Sequence, residues 1–248
     1  MKRIKKRFVF PAAVLAVFLF CSTVSAWAQA AEPAQPDCSS WAVEEVSEAI
    51  AKGLVPEHLQ KDYLKPVTRG EVAELTAYYE LWHEPEGSTL DDLWARKDAL
   101  YDKWREENEP GSSSYAHYRF YEENVFSDTN EELYNRMYQF HYINGYPDGT
   151  FRPEGNVKRG EAAVIFWSAM EPHMGGHMYP VSWYTRAIDK FDDIDKNFTP
   201  WYERSIAWMW CCDCIKGLSD TIYGAEYPMT REQAIITVLR MSKNENYF

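Results

Sequence analysis

Apolar positions in this chain fall into short helical stretches separated by turn residues, and the stretches come in pairs. Val43, Val46, Ile50 and Leu54 recur at intervals of three and four, with Gly53 ending the run; residues at that spacing share one face of a helix. A later stretch carries Ile206, Trp210 and Cys214 before Gly217, and a middle one Leu133, Met137 and Phe140, about a turn shorter. Each is followed, after a loop, by a second apolar run: Val72, Leu75 and Tyr79; Ala162, Ile165 and Ala169; Ile235, Val238 and Leu239. Helix, loop, helix is therefore expected three times.

The loops themselves repeat. Pro66-Val67-Thr68-Arg69-Gly70-Glu71 returns as Pro228-Met229-Thr230-Arg231-Glu232-Gln233, and Val157-Lys158-Arg159-Gly160-Glu161 lies between them. Arg69, Arg159 and Arg231 are thus equivalent positions. Thr68 with Glu71, and Thr230 with Gln233, have the spacing of a capping box, which puts each arginine in the first turn of a helix. Ser40-Trp41, Phe126-Ser127-Asp128 and Thr199-Pro200-Trp201 open the first helices, so Trp41 and Trp201 match. A single hairpin of this size cannot enclose a core, and three must bury their apolar faces against one another. The fold class expected is all-α: three units, 37–81, 125–175 and 190–248, in a pseudo-threefold bundle. Residues 82–124 form an insertion whose Leu90, Leu93, Trp94, Tyr101 and Trp104 predict a further helix, for packing or for docking a partner. Residues 176–189, close to two glycines and two prolines, read as a linker.

The first thirty residues change the charge argument. Lys2, Arg3, Lys5, Lys6 and Arg7 precede a thirteen-residue apolar run from Phe8 to Phe20, and small residues follow; this is the layout of a secretory signal peptide over 1–30, cleaved after Ala30 or Ala28. The run is short of the roughly 20 residues a membrane span needs, and no further span is visible. The segment holds five basic residues and no acid, so what remains has 21 Lys and Arg against 38 Asp and Glu, a net charge of about −17. Such a chain is repelled by nucleic acid and anionic membranes, and holds an anionic ligand only in a local pocket. Export makes disulfides plausible. Cys38 pairing with Cys214 or Cys211 is the preferred arrangement; metal binding by Cys211, Cys212 and Cys214 is the alternative.

No catalytic constellation stands out. Asp91-Asp92 and Asp192-Asp193 are sequence neighbours rather than facing carboxylates. His173 and His177 have weak metal spacing, and no nucleophile elbow, zinc-helix or phosphate-loop motif is present. The chain is read as a non-enzyme that needs no cofactor.

Phe126-Ser127-Asp128, Ile143-Asn144-Gly145-Tyr146-Pro147-Asp148-Gly149-Thr150-Phe151 and Lys158-Arg159-Gly160-Glu161 resemble the S-layer homology repeat. With Phe191-Asp192-Asp193-Ile194, Trp201 and Thr230-Arg231 in the third unit, and Trp41 and Thr68-Arg69-Gly70-Glu71 in the first, the likeness covers most of the chain outside the insertion. The resemblance implies a threefold helical spindle on an exported cell-envelope protein, bound without covalent linkage to a secondary cell-wall polysaccharide that is often pyruvylated. It implies glycan contacts from Arg69, Arg159 and Arg231, from the loop residues Asp148, Gly149 and Thr150, and by stacking from Trp41 and Trp201, which as helix-start tryptophans also have a plain core reading. Unshared backbone N–H groups at each helix start would join the guanidinium in gripping a carboxylate. The groove expected to bind best joins Arg159, with Lys158 as a second cation, to the loop around Asp148. A protein-interaction subunit that keeps this scaffold without glycan binding is the alternative.

Overall fold

The computed structural model describes residues 37–107, 123–174, 181–195 and 201–244. The signal segment 1–30, His177, Thr199 and Pro200 lie outside the described residues. The chain is mainly helical: α1 (Val43–Ala51), α2 (Arg69–Leu81), α3 (Leu90–Glu107), α4 (Glu132–Gln139), α5 (Arg159–Met170), α6 (Val181–Lys190), α7 (Glu203–Cys211) and α8 (Arg231–Asn244). The pairs α1/α2, α4/α5 and α7/α8 are the three hairpin units expected from the periodicity. The middle first helix is only one residue shorter than the other two, not a turn.

The units close into a ring. The second helices α2, α5 and α8 pack on one another at the centre, and each first helix lies against the second helix of the preceding unit: α4 on α2, α7 on α5, and α1 on α8. Just before the central helices, the three extended segments meet in a cyclic set of hydrogen bonds. Val67 N donates to Met229 O (2.8 Å), Met229 N to Val157 O (3.1 Å) and Val157 N to Val67 O (3.1 Å). Val67, Val157 and Met229 are fully buried there, so the axis is an apolar pin enclosed by paired backbone, which leaves no polar group orphaned.

Capping follows the sequence where the chemistry allows. Glu71 N donates to Thr68 Oγ1 and Thr68 N to Glu71 Oε2, a complete capping box; Thr230 and Gln233 repeat it. Lys158 has no acceptor atom, so the middle unit keeps only half, Lys158 N donating to Glu161 Oε2 (2.9 Å). The first helices end at residues in the left-handed region, Gly53, His141 and Asp213, as helix C-termini commonly do.

Two expectations are corrected. Much of the region read as a linker is α6, a ten-residue helix packed on α7; the nearby glycines and prolines lie before it and masked its pattern. The structure holds no disulfide among Cys38, Cys211, Cys212 and Cys214. Cys38 neighbours Glu232 and Tyr63 at the start of α8, while Cys214 Sγ accepts from Asn244 at its end. Twelve residues of helix separate those ends by about 18 Å, far beyond disulfide reach. The ring places α1, not the end of α7, against α8, and Cys38 lies just ahead of α1. Burial pushes the Cys211 and Cys212 thiols up to about 11 and Cys214 well above its ordinary value; such thiols are inert packing groups. No cluster of three His, Cys, Asp or Glu side chains able to hold a metal occurs among the described residues, nor is any described helix long and apolar enough to cross a membrane.

The insertion packs. Leu93, Trp94 and Tyr101 of α3 are buried, and Trp94 stacks on Phe140 at 6.0 Å. Lys97 reaches Glu80 (2.7 Å) and the Tyr142 hydroxyl (2.6 Å), and Asp98 pairs with Arg136 (2.7 Å). α3 therefore braces the joint between the first and second units.

Candidate functional site

The three arginines lie at the joints between units, and the structure shows what each does there. At the start of every central helix the first two N–H groups donate to the loop of the next unit: Arg69 N to Gly155 O and Gly70 N to Pro153 O, Arg159 N to Tyr227 O and Gly160 N to Ala225 O, Arg231 N to Lys65 O and Glu232 N to Tyr63 O, all within 2.8 to 2.9 Å. The expectation that these groups wait for a ligand is wrong. They are consumed in closing the ring, and a ligand must be held by side chains.

The guanidinium groups follow the same rule of reaching forward by one unit. Arg69 donates from Nε to Phe151 O (3.0 Å) and from Nη2 to Asn144 O (3.1 Å). Arg159 donates from Nε to Tyr223 O (3.2 Å), from Nη2 to Lys216 O (2.5 Å) and from Nη1 to Gln233 Oε1 (3.1 Å). Asn144 and Lys216 each precede a glycine, and the backbone passes tightly there: a Cβ on Gly145 would lie 2.7 Å from the Phe126 ring, and one on Gly217 2.6 Å from Phe191. Arg231 differs. The stretch from the left-handed residue ending the first helix to the arginine is two residues shorter in the first unit (Gly53 to Arg69) than in the others (His141 to Arg159, Asp213 to Arg231). Arg231 bonds Lys61 O (2.5 Å) and the Glu71 carboxylate instead, and its buried Nε has no hydrogen-bond partner.

Two of these joints open into grooves. The Arg159 groove, a cavity of about 390 Å³, is walled by the third-unit loop from Cys214 to Leu218, by Gln233, Ile236 and Arg240 of α8, and by Trp41 of the first unit. The Arg69 groove, about 350 Å³, is walled by the second-unit loop from Tyr142 to Pro147, by Glu161, Val164 and Ile165 of α5, and by Trp201 of the third unit. All three units contribute to each. Trp41 and Trp201 are 57% and 65% exposed, so neither is the core residue that a helix-start tryptophan could have been. Arg69 also lies over the rings of Tyr146 (4.8 Å) and Phe151 (5.0 Å), and Arg159 over Tyr223 (5.1 Å).

The remaining sequence candidates fare unevenly. Arg159 and the loop around Asp148, expected in one groove, are in different ones, because each arginine meets the loop of the following unit. Lys158 does not line the Arg159 groove; it is exposed and paired with Glu226 (2.6 Å), which holds the Lys158 ammonium pKa above its usual value. Asp148, Gly149 and Thr150 build the turn rather than a groove wall. Asp148 accepts from Thr150 Oγ1 (2.6 Å), Thr150 N (3.0 Å) and Arg152 (2.6 Å), which brings its carboxyl down to about 2, and Gly149 takes φ +80°. Asn144, Tyr146, Glu161, Lys216, Gln233 and Arg240 were not singled out as ligand contacts from the sequence. Counting fourteen residues back from Arg159 and Arg231 to the matched glycines 145 and 217 would have flagged Asn144 and Lys216.

The S-layer homology domain family matches residues 135–163 of the chain, the stretch that runs from α4 through the Tyr146 loop to the first turn of α5. Over 98 residues, 40% of the chain, the sequence is 32% identical to Cell surface glycoprotein 1 of Acetivibrio thermocellus, of whose length the match spans 4%.

Proposed function

We infer, from the match of residues 135–163 to the S-layer homology domain family and the likeness to a cell surface glycoprotein, that this chain is a non-catalytic, exported envelope component. It attaches non-covalently to an acidic secondary cell-wall polysaccharide through the grooves between its units. In this reading 37–81, 125–175 and 190–248 are three S-layer homology repeats, each incomplete without the next.

The observation that carries the reading is the Arg159 groove. It combines the buried Arg159 guanidinium, an Arg240 that Glu45 pairs from behind through two hydrogen bonds, and an exposed tryptophan in one cavity, and no carboxylate is among the residues that line it. A buried cation beside an aromatic plate suits an acidic sugar ring: the carboxylate lies in the field of the Arg159 guanidinium and the ring face meets the indole. On a chain as acidic as this one, the Arg159 charge, with no carboxylate paired to it, is what an anion can find. The Arg159 guanidinium keeps its charge but is already bonded to two carbonyls and an amide, so it offers field and a preset position more than vacant donors.

Sedimentation with the producing organism's wall sacculi tests this. The expected result is that the chain pellets with intact sacculi and stays in solution once the secondary polymer has been extracted. Trp41→Ala, at an exposed position, should weaken pelleting without altering the fold. Equal pelleting with and without the polymer would overturn the reading.

A further inference from the structure

The two open grooves share a backbone plan but differ in several side chains, and one of the differences is in charge. Glu71, Glu161 and Gln233 occupy equivalent positions, two residues beyond the three arginines. At the Arg231 joint Glu71 closes onto the arginine as an ion pair. In the Arg159 groove the partner is Gln233, a neutral amide, and no carboxylate lines the cavity. In the Arg69 groove Arg69 and Glu161 both line the cavity but do not bond each other. Glu161 Oε2 accepts from Lys158 N, and among the described residues Arg69 Nη1 and Glu161 Oε1 have no hydrogen-bond partner.

Resting on the proposed polymer binding, we propose that the Arg69 groove takes an uncharged sugar residue, bearing hydroxyl or amide groups, while the Arg159 groove takes the anionic one. An unclosed guanidinium and carboxylate across one cavity offer donors and an acceptor together, which matches a hydroxyl that both donates and accepts. The exposed Trp201 supplies the plane against which a pyranose lies. A carboxylate entering the same cavity would meet Glu161, and like charges at such a distance repel strongly once water is excluded. The protein would then engage two chemically different residues of one polymer, with affinity raised by linkage between the sites rather than by either alone.

Exchanging the two side chains tests the idea. Full-length Gln233→Glu and Glu161→Gln proteins are compared with the wild type for equilibrium binding to polymer released from the producing organism's sacculi. Each measurement is repeated after reduction of the polymer's carboxyl groups to alcohols. Both substitutions keep the acceptor that caps the helix, and thermal melts confirm that each variant is folded. Gln233→Glu should lose tenfold or more on native polymer and less than twofold on reduced polymer. Glu161→Gln should lose severalfold on both alike. The inference is overturned if Gln233→Glu binds native polymer normally, or if Glu161→Gln tightens binding to native polymer alone, which would show an anion in the Arg69 groove. Wild-type protein that binds neither form would instead sink the polymer reading itself, and this inference with it.

Discussion

The Arg159 groove and the Arg231 joint are built on the same backbone plan, yet at one the guanidinium lines a groove and at the other a carboxylate closes onto it. Both arginines begin a central helix, both lie at least nine-tenths buried, and both reach into the loop of the next unit. At Arg159 the longer loop supplies the Lys216 carbonyl, and the facing residue is Gln233. At Arg231 the loop is two residues shorter and Glu71 takes the guanidinium. Ile236, which lines the Arg159 groove, has Glu74 as its counterpart; Glu74 pairs with His58 at 3.0 Å, and burial raises its carboxyl pKa. The counterpart of Trp41 and Trp201 is Asn130. The ring therefore uses all three arginines at its joints, and loop length and a few side chains decide whether the guanidinium lines a groove or is closed by a carboxylate.

That contrast breaks first at the arginines. Arg159→Ala and Arg231→Ala each strand buried acceptors in the neighbouring loop, and each should lower unfolding free energy by about 3 to 5 kcal/mol in a denaturant titration. Only Arg159→Ala should also abolish polymer binding in protein still folded at low temperature. Equal binding loss in both would erase the distinction between the joints.

The next effect concerns the brace supplied by α3. Burial alone would raise the Glu80 carboxyl, but His173 (2.9 Å) and Lys97 outweigh it and hold it at about 2. A folded value below the unfolded one means this stabilisation is present above about pH 4.5 and is lost as the pH falls toward 2. Its full size is at most about 3 kcal/mol. Glu80→Gln should remove that part of the acid dependence; an unchanged profile would show that the network is not coupled to folding.

A smaller change sharpens the comparison at the second helical residue. A Cβ on Gly160 would lie 2.9 Å from the Tyr202 ring, so Gly160→Ala should cost about 1 to 3 kcal/mol. The third unit has Glu232 at this place and uses it, accepting from Ser39 N and Oγ. Smallest in stability should be Trp41→Ala, within about 0.5 kcal/mol, with a binding loss of about 1 to 2 kcal/mol.

Much of this was legible in the chain. The helical periodicities, the segment that recurs around Arg69, Arg159 and Arg231, and the Tyr-Pro-Asp-Gly turn pointed to the hairpins and the arginines, because capping and turn chemistry act over a few residues. What eluded the sequence was the order of contact between units. Nothing local says that Arg159 meets the loop at Lys216 rather than the one at Asp148, or that Cys38 and Cys214 stand at opposite ends of α8. Those facts follow from ring closure, which is set by packing across the whole bundle. α6 escaped for the opposite reason, since glycines and prolines just before it drowned a short local signal.

The account stands on arginine and tryptophan from different units converging on one ligand. Protein labelled with 5-fluorotryptophan, its Trp41 and Trp201 signals assigned through Trp41→Phe and Trp201→Phe, reports this directly by fluorine NMR during titration with the released wall polymer. Both signals should shift and saturate together with the bound fraction. Saturated binding that leaves both unmoved would contradict the account.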